Sequence, residues 1–478
     1  MIVFIAISRR SSYRVMKSMQ QCSVANLNMN DNYAAESAAC VILEPGKARL
    51  FQGGNPIIYG GAVKQVVGDP VAGTEVIVKD HKGNAFGRGF FNPYSQYRVR
   101  VTAMKDDRSF NETLAILLKR RLSQAVSLRK SMMLPRPDTS VYRLVNGEGD
   151  RLGGLIIDVL GDTVVTQSSA LWVEIHRQLI MTTLTELFGM EGKALLWRRS
   201  EARLKQDGYD DYLQYLKQQQ QGGRGGPSSV ETDVDDSNAA ASTSIDASQQ
   251  EVTENGIRYS LCAASDQKTG FYCDQRDNRL LVRGLSRGKT VLDTYCYSGG
   301  FSLNAIKGGA KSVLAVDSSA RALETLEKNI NLNELHQSDH NTDRLGNGRI
   351  TLQQGDAVAV MEKLVQAGAQ FDVVICDPPK LAPTRTSLDK AVNKYQRINS
   401  LAMSLVNRTS GGLMLTCTCS AAMTQSDRFL EVLMAAARSA GRDISIVTSS
   451  GAAADHPVLP CYLEGRYLTA VLLHVHGC

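Results

Sequence analysis

Four aspartates stand at or just after the ends of short apolar runs, and most of the runs lead into a turn and a helical pattern. The first run ends Val291-Leu292-Asp293 and continues Thr294-Tyr295-Cys296-Tyr297-Ser298-Gly299-Gly300-Phe301. The second ends Ala315-Val316-Asp317 and is followed by Ser318; the third is followed by Gln354-Gly355-Asp356-Ala357. The fourth ends Cys376-Asp377-Pro378-Pro379-Lys380. Paired glycines let the backbone approach a ligand closely, with a helix N-terminus behind them. An acid at the second strand end suits a ribose diol. Two prolines fix the turn after Asp377 and aim its carboxylate and the nearby carbonyls at a planar base. A fifth run ends Leu415-Thr416-Cys417-Thr418-Cys419-Ser420, which sets a cysteine beside Asp377. A thiolate there can add to carbon six of a pyrimidine and make carbon five nucleophilic. Most single cysteines are small buried hydrophobes. At this strand end the nucleophile is the better assignment, with Cys419 ahead of Cys417.

These residues need a sheet to bring them together. Residues 257–478 alternate strand and helix patterns, with strands at 290–293, 312–317, 349–353, 372–376, 412–417, 443–448 and 467–474. That alternation predicts a doubly wound α/β domain with a largely parallel sheet, whose ligands sit at the carboxyl ends of the strands. The first loop lacks the G-x-G-x-x-G of hydride-transferring dinucleotide domains. The ordered acids match the class I S-adenosylmethionine methyltransferases instead.

Upstream, residues 41–104 read as short strands between glycine-rich turns, a small β-barrel rich in Lys and Arg. Its basic residues Lys47, Arg49, Arg98 and Arg100 are candidate RNA contacts, with Lys380 in the catalytic part. Ser109 and Glu112 have the spacing of a capping box ahead of a helix. Residues 141–200 read as mixed α and β. Residues 218–256 run from four glutamines into Gly-Gly-Arg-Gly-Gly-Pro and then Ser, Thr and acids, the composition of a disordered acidic insertion. The expected divisions are therefore 1–38 leader, 39–106 barrel, 107–217 central α/β domain, 218–256 insertion and 257–478 catalytic domain.

The chain has 478 residues, with 43% hydrophobic and 21% charged, so most of it is globular. No stretch reaches the roughly 20 apolar residues of a membrane span, so no membrane partner is expected. Ten cysteines without paired CxxC motifs predict neither a disulfide scaffold nor a metal site. The net charge of +6 includes an insertion with seven acids and one base, so the folded parts are more basic than the average. Residues 1–30 carry Arg9, Arg10, Arg14 and Lys17 and no acid, which reads as an organellar transit segment for mitochondrion or chloroplast, with an untargeted disordered tail and a cytoplasmic address as the alternative.

The chain resembles the large-subunit ribosomal RNA large methyltransferase I family, cytosine-C5 methyltransferases of 23S rRNA, from about residue 41 onward. The carrying stretches are Asn92 to Arg100, Tyr142 to Asp150, Lys268 to Arg276, Asp293 to Phe301, Asp377 to Lys380, Thr418 to Ser420 and Ala454 to Pro457. The resemblance implies an N-terminal PUA barrel for RNA, S-adenosylmethionine as cofactor, large-subunit rRNA as partner, and a monomer or homodimer. It implies Cys419 as nucleophile and Asp377 on the pairing edge of the cytosine. It implies cofactor contacts from Asp293, Tyr295, Ser298, Gly299, Gly300, Phe301, Asp317, Ser318, Asp356, Ala357 and Asp377, with Gln275 and Arg276 closing over the cofactor. Leu381 departs from the family, which usually has an aromatic there, and the base that takes the carbon-five proton is not identified. Two rivals stand beside this reading. One is a guanine N-methyltransferase, which needs no thiol. The other is a non-catalytic RNA-binding assembly factor.

Overall fold

The computed structural model describes residues 39–188, 193–221, 250–261, 270–334, 349–381 and 388–478. Residues 39–478 form one compact unit. The leader, residues 1–38, lies outside the described residues.

The N-terminal strands are β1 (Cys40–Leu43), β2 (Ile57–Tyr59), β3 (Val63–Val67), β4 (Glu75–Lys79), β5 (Ala85–Phe91) and β6 (Tyr97–Met104). They form one sheet in the order β2-β6-β5-β4-β1-β3, antiparallel except for the β1–β4 pair. Val41, Leu43, Val76, Val78, Val99 and Val101 alternate inward and pack with Phe51, Phe86 and Phe91. The helix that follows, Leu114–Ser131, begins two residues after Glu112 and is capped by Thr113, whose hydroxyl accepts from the Ile116 amide. Ser109 instead sits buried in a 3-10 turn over 108–111, held by Asp107, so it does not cap this helix.

The central part is a four-stranded sheet, β10-β9-β8-β7, made of β7 (Val141–Asn146), β8 (Leu155–Leu160), β9 (Thr163–Ser168) and β10 (Ala194–Arg199). Phe90 of the barrel stacks on Trp172 of this part with ring centroids 4.3 Å apart, so the two share a core. A hairpin of β11 (Gln250–Glu254) and β12 (Ile257–Leu261) follows. This differs from the reading of 218–256 as a linker: 250–256 are ordered as strand and turn, with Val252 and Glu254 buried. The helix Tyr209–Gln221 also runs into the glutamine tract, and residues 222–249 lie outside the described residues. Composition misled here because Glu254 looks solvated in sequence, yet it forms a buried two-bond ion pair with Arg279, at 2.7 and 2.6 Å.

The C-terminal sheet has seven strands: β13 (Thr290–Thr294), β14 (Ser312–Asp317), β15 (Ile350–Gln354), β16 (Val373–Cys376), β17 (Gly412–Thr418), β18 (Ile444–Ser450) and β19 (Thr469–Val475). Their order is β15-β14-β13-β16-β17-β19-β18, parallel through β17 and antiparallel at β19 and β18. Helices cover both faces, so β16 is buried along its whole length. The order reverses at β13, where consecutive strands leave on opposite sides, and the crevice at the strand ends opens there. Val141, Leu160 and Val165 of the central sheet share a core with Tyr259, Phe271, Leu303 and Leu326. Central and catalytic parts are thus fused by apolar packing.

Candidate active site

One wall of the crevice is built from the ends of β13, β14 and β15. The β13 loop bends through three left-handed residues, Tyr295 (φ 61), Tyr297 (φ 49) and Gly299 (φ 87). Gly299 is required: a Cβ there would lie 2.1 Å from Leu326 Cδ1. The helix Gly300–Lys307 begins behind it, and the Ser302 amide in its first turn bonds Asp293. Asp317 accepts from the Tyr297 amide (2.9 Å) and the Ser319 amide (2.9 Å), which ties the β13 loop to the end of β14. The Gly355 amide donates to the Asp317 carbonyl (3.0 Å), bringing β15 alongside. Asp356 is exposed and caps the helix Ala357–Gln366 through the Ala359 amide (3.0 Å). Asp293 lies beneath the loop, fully buried, and accepts from Ser302 Oγ at 2.6 Å. Burial pushes its carboxyl up to about 7 against the pull of Ser302, and the charges of Asp377 and Asp317 push the same way. Its other oxygen has no hydrogen-bond partner among the described residues. That lone acceptor, the amide-rich loop and the Asp317 carboxylate fit a ligand with both an ammonium and a ribose.

The other wall comes from β16, β17 and the turn before the helix Arg276–Leu285. Asp377 and Cys419 follow adjacent parallel strands paired Cys376 to Thr416. Gln275 Nε2 donates to Asp377 Oδ2 at 2.9 Å. Tyr395, on the helix Leu388–Ser404, takes Thr418 Oγ1 on its hydroxyl at 2.8 Å and also bonds the Leu381 backbone. One phenol therefore joins the loop after Asp377 to the end of β17. Thr416 is likewise fixed by Asn399, at 2.6 Å.

The two candidate thiols differ sharply. Cys417 is fully buried in the core under the sheet, and burial first, then the Asp377 charge, push it well above the usual thiol value. Cys376 is also sealed, and burial pushes it up to about 12. Cys419 is half-exposed at the strand end. Desolvation and the Arg203 guanidinium hold the Lys380 ammonium below its usual value, while the negative charge of Cys419 acts the other way. Lys380 and the Cys419 thiol are thus within electrostatic reach of each other. Burial and then the charges of Asp274, Asp377 and Cys419 push Tyr272 up to about 12, so this ring borders both walls. It meets Tyr297 edge-on at 5.4 Å. Tyr272 and Tyr395 escaped the sequence reading. Tyr272 lies inside the Lys268–Arg276 stretch, whereas Tyr395 sits in a helix without a motif.

Not every expected contact faces the crevice. Arg276 is buried and bonds both oxygens of Asp455, at 2.8 and 3.0 Å. It holds the Ala454–Pro457 turn, and a guanidinium so engaged has no cofactor to reach. Asp455 also accepts from the Arg143 amide (2.7 Å) and pairs with His456 (3.0 Å). Burial alone would raise its carboxyl, but His456 and Arg276 outweigh that and hold it well below the usual carboxylate range. Phe301 packs in the core behind the loop, and Ala357 is buried, whereas Ser318 is exposed at the end of β14.

Arg100 departs from its expected role as an RNA contact. It is buried between Asp207 and Glu148, both at 3.2 Å. Asp207 also accepts from Ser95 Oγ (2.7 Å), Asn92 Nδ2 (3.2 Å) and the Leu171 amide (2.8 Å), joining the barrel to the central part. Arg98 is half-buried and donates to the Asn92 and Pro93 carbonyls. Lys47 and Arg49 are exposed on the barrel, as is Lys380 at the cleft rim.

Comparison with known proteins fits this geometry. The S-adenosylmethionine-dependent methyltransferase family model matches residues 235–447, and a PUA-like domain model matches residues 41–103. Ribosomal RNA large subunit methyltransferase I of Cronobacter sakazakii is 31% identical over 437 residues, covering 91% of this chain and 99% of its own. The protein of the same name from Tolumonas auensis is 32% identical over 434 residues, covering 91% and 98%. Among solved structures, a protein from Streptococcus mutans described as a SAM-dependent methyltransferase has the same fold. Its TM-score is 0.68 at 17% identity, over 91% of this chain and 99% of that one. A methyltransferase structure complexed with SAH gives a TM-score of 0.67, again at 17% identity. The curated relatives are bacterial proteins, and this overturns the organellar address read from residues 1–30: a basic, acid-free composition does not by itself make a transit segment. At this identity and coverage, the chain belongs to the ribosomal RNA large subunit methyltransferase I family of S-adenosylmethionine-dependent enzymes.

Proposed function

We propose that the chain methylates carbon five of a cytosine in large-subunit ribosomal RNA, through a covalent adduct with Cys419. The methyltransferase class and S-adenosylmethionine as cofactor follow from the family; the base, the atom and the thiol are our reading. The observation that carries it is the contrast at the end of β17. Cys419 is half-exposed beside the Asp377 loop, while Cys417, two residues earlier, is sealed in the core. A nucleophile must reach its substrate, and a buried apolar thiol is inert.

The cofactor supplies an electrophilic methyl group. Asp317 would hold its ribose, the Tyr295–Gly300 loop its amino-acid end, and Asp356 with Ala357 would border the adenine. The base must leave its stack to enter the crevice, which costs a few kcal/mol. Asp377 then accepts from the exocyclic amine of the flipped cytosine. The Cys419 thiolate adds to carbon six, and the electron pair arriving at carbon five would take the methyl as the methyl–sulfonium bond breaks and S-adenosylhomocysteine leaves. Loss of the carbon-five proton re-forms the double bond and expels the thiolate. Lys380 at the rim favours the thiolate electrostatically and also suits the phosphate backbone. Exposed Lys47 and Arg49 on the PUA-like barrel add a sequence-independent grip.

Bisulfite sequencing of large-subunit rRNA from host cells with and without the gene tests this directly. One methylcytosine should vanish on deletion and return on complementation with the wild type. An unchanged cytosine map would sink the reading.

A further inference from the structure

We propose that Gln275 is a positioning residue for Asp377, fixed by a one-way hydrogen-bond relay that starts at β18. This inference rests on the acceptor role given to Asp377 above. Both ends of the relay can only accept hydrogen bonds. At one end is the Gly451 carbonyl, at the other the Asp377 carboxylate. Two amide side chains lie between them. Asn278 Nδ2 donates to Gln275 Oε1 at 2.6 Å and to the Gly451 carbonyl at 3.3 Å. Gln275 Nε2 donates onward to Asp377 Oδ2 at 2.9 Å. Ser450 Oγ, at the end of β18, donates to Asn278 Oδ1 at 2.6 Å.

Neither amide can turn over. Reversing Asn278 would set its oxygen against the Gly451 carbonyl and Gln275 Oε1. Reversing Gln275 would set oxygen against carboxylate and nitrogen against nitrogen. Gln275 is 4% exposed and Asn278 2%, so water cannot cover the mismatch. The relay therefore points a donor at Asp377 and fixes the carboxylate plane as an acceptor. Cytosine offers a donor amine where uracil offers only a carbonyl oxygen, so an acceptor held in this way selects cytosine. It also gives Gln275 a task other than cofactor contact and couples the otherwise exposed β18 to the chemistry.

The test uses the full chain, S-adenosylmethionine and undermethylated large-subunit rRNA. Gln275→Met keeps the side-chain length and removes the bonds to Asn278 and Asp377 together with the one to the Cys417 thiol; Asn278→Asp keeps the shape and turns a donor into an acceptor. Each should lower kcat/KM for methyl transfer by roughly 10–100-fold, with the cofactor Kd from calorimetry moving less than about threefold. The double variant should be no worse than Gln275→Met alone, because both act on one bond, whereas general structural damage would multiply. Ser450→Ala, at the exposed end, should cost roughly two- to threefold without lowering Tm, and serves if the buried variants fold poorly. Cofactor affinity falling in step with kcat/KM would overturn the proposal, as would unchanged kcat/KM in all three. Mapping the methylated base in the wild type keeps the two readings apart. A base other than cytosine would end the cytosine reading, while the variants would still report on the relay.

Discussion

The two walls of the crevice are built over different distances along the chain. The cofactor wall is local: Ser302 reaches Asp293 across nine residues, Tyr297 reaches Asp317 across 20, and Asp356 caps a helix three residues on. The acceptor wall is assembled from afar. Gln275 and Asp377 are 102 residues apart, and Asn278 and Ser450 172. A local wall can be shaped by one strand–loop–helix unit. A distributed wall exists only when the hairpin, the central part and the far edge of the sheet are all in place.

The largest effect should separate the thiols on the acceptor wall. Cys419→Ala should lower methyl transfer by at least about 10³-fold, on the order of 4 kcal/mol of barrier, while S-adenosylmethionine still binds in a calorimeter. Cys417→Ala should retain activity within about threefold and lose stability instead, since it only opens a small cavity in the core. Methylation surviving in the Cys419→Ala enzyme would shift the reading toward transfer to a nitrogen, which needs no nucleophile.

The joint that supports the acceptor wall comes next. Asp455→Ala leaves buried Arg276 with only the exposed Asp277 carboxylate, 3.6 Å away, among the described residues, and removing one member of a buried pair costs about 3–5 kcal/mol. Urea denaturation followed by fluorescence should show that loss, with activity falling even at temperatures where the fold persists. A loss below about 1 kcal/mol would mean that the Asp455 joint is not what holds the Gln275 turn. On the cofactor wall, Asp317→Ala should weaken cofactor binding roughly 10–100-fold, about 1.4–2.7 kcal/mol. The fold should stay intact, because among the described residues the Asp317 side chain is tied to two backbone amides, those of Tyr297 and Ser319.

The same contrast explains what could be read before the structure. The positions of Asp293, Asp317, Asp356 and the Ser298–Gly300 turn at strand ends were legible because strand ends and turn residues carry local signals. The strands at 312–317 and 412–417 were placed within a residue for the same reason: continuous apolar runs bounded by Gly, Lys and Asp. Arg100 and Arg276 misled because a basic residue in sequence does not announce its partner. Asp207 is 107 residues from Arg100, and Asp455 is 179 from Arg276. The hairpin at 250–261 was half missed because its strand follows a polar tract, and its buried Glu254 depends on Arg279. Tyr395 was invisible because a tyrosine on an amphipathic helix reads as core until the end of β17 is seen against it.

The smallest effect returns to the cofactor wall and to its buried acid. Asp293 has a carboxyl raised to about 7 from a usual value near 4. A carboxyl raised by folding is protonated in the native state at pH values where the unfolded chain has already ionised. Its contribution is therefore complete below about pH 4 and is lost as the pH climbs toward 7. Across that window the folded chain binds the extra proton, so stability declines with pH by up to about 1.4 kcal/mol per pH unit from this group. Asp293→Asn keeps the shape and the Ser302 neighbour and removes the titration. Unfolding free energies of the wild type and this variant, measured between pH 5 and 6.5, should differ in slope by about 1 kcal/mol per pH unit. The wild type should be the one that falls faster. Saturating S-adenosylmethionine should shrink the difference if its ammonium meets the unpartnered Asp293 oxygen, because the cofactor would then favour the ionised acid. Parallel slopes without cofactor would show that the carboxyl is ionised throughout and that the loop, not burial, sets its charge.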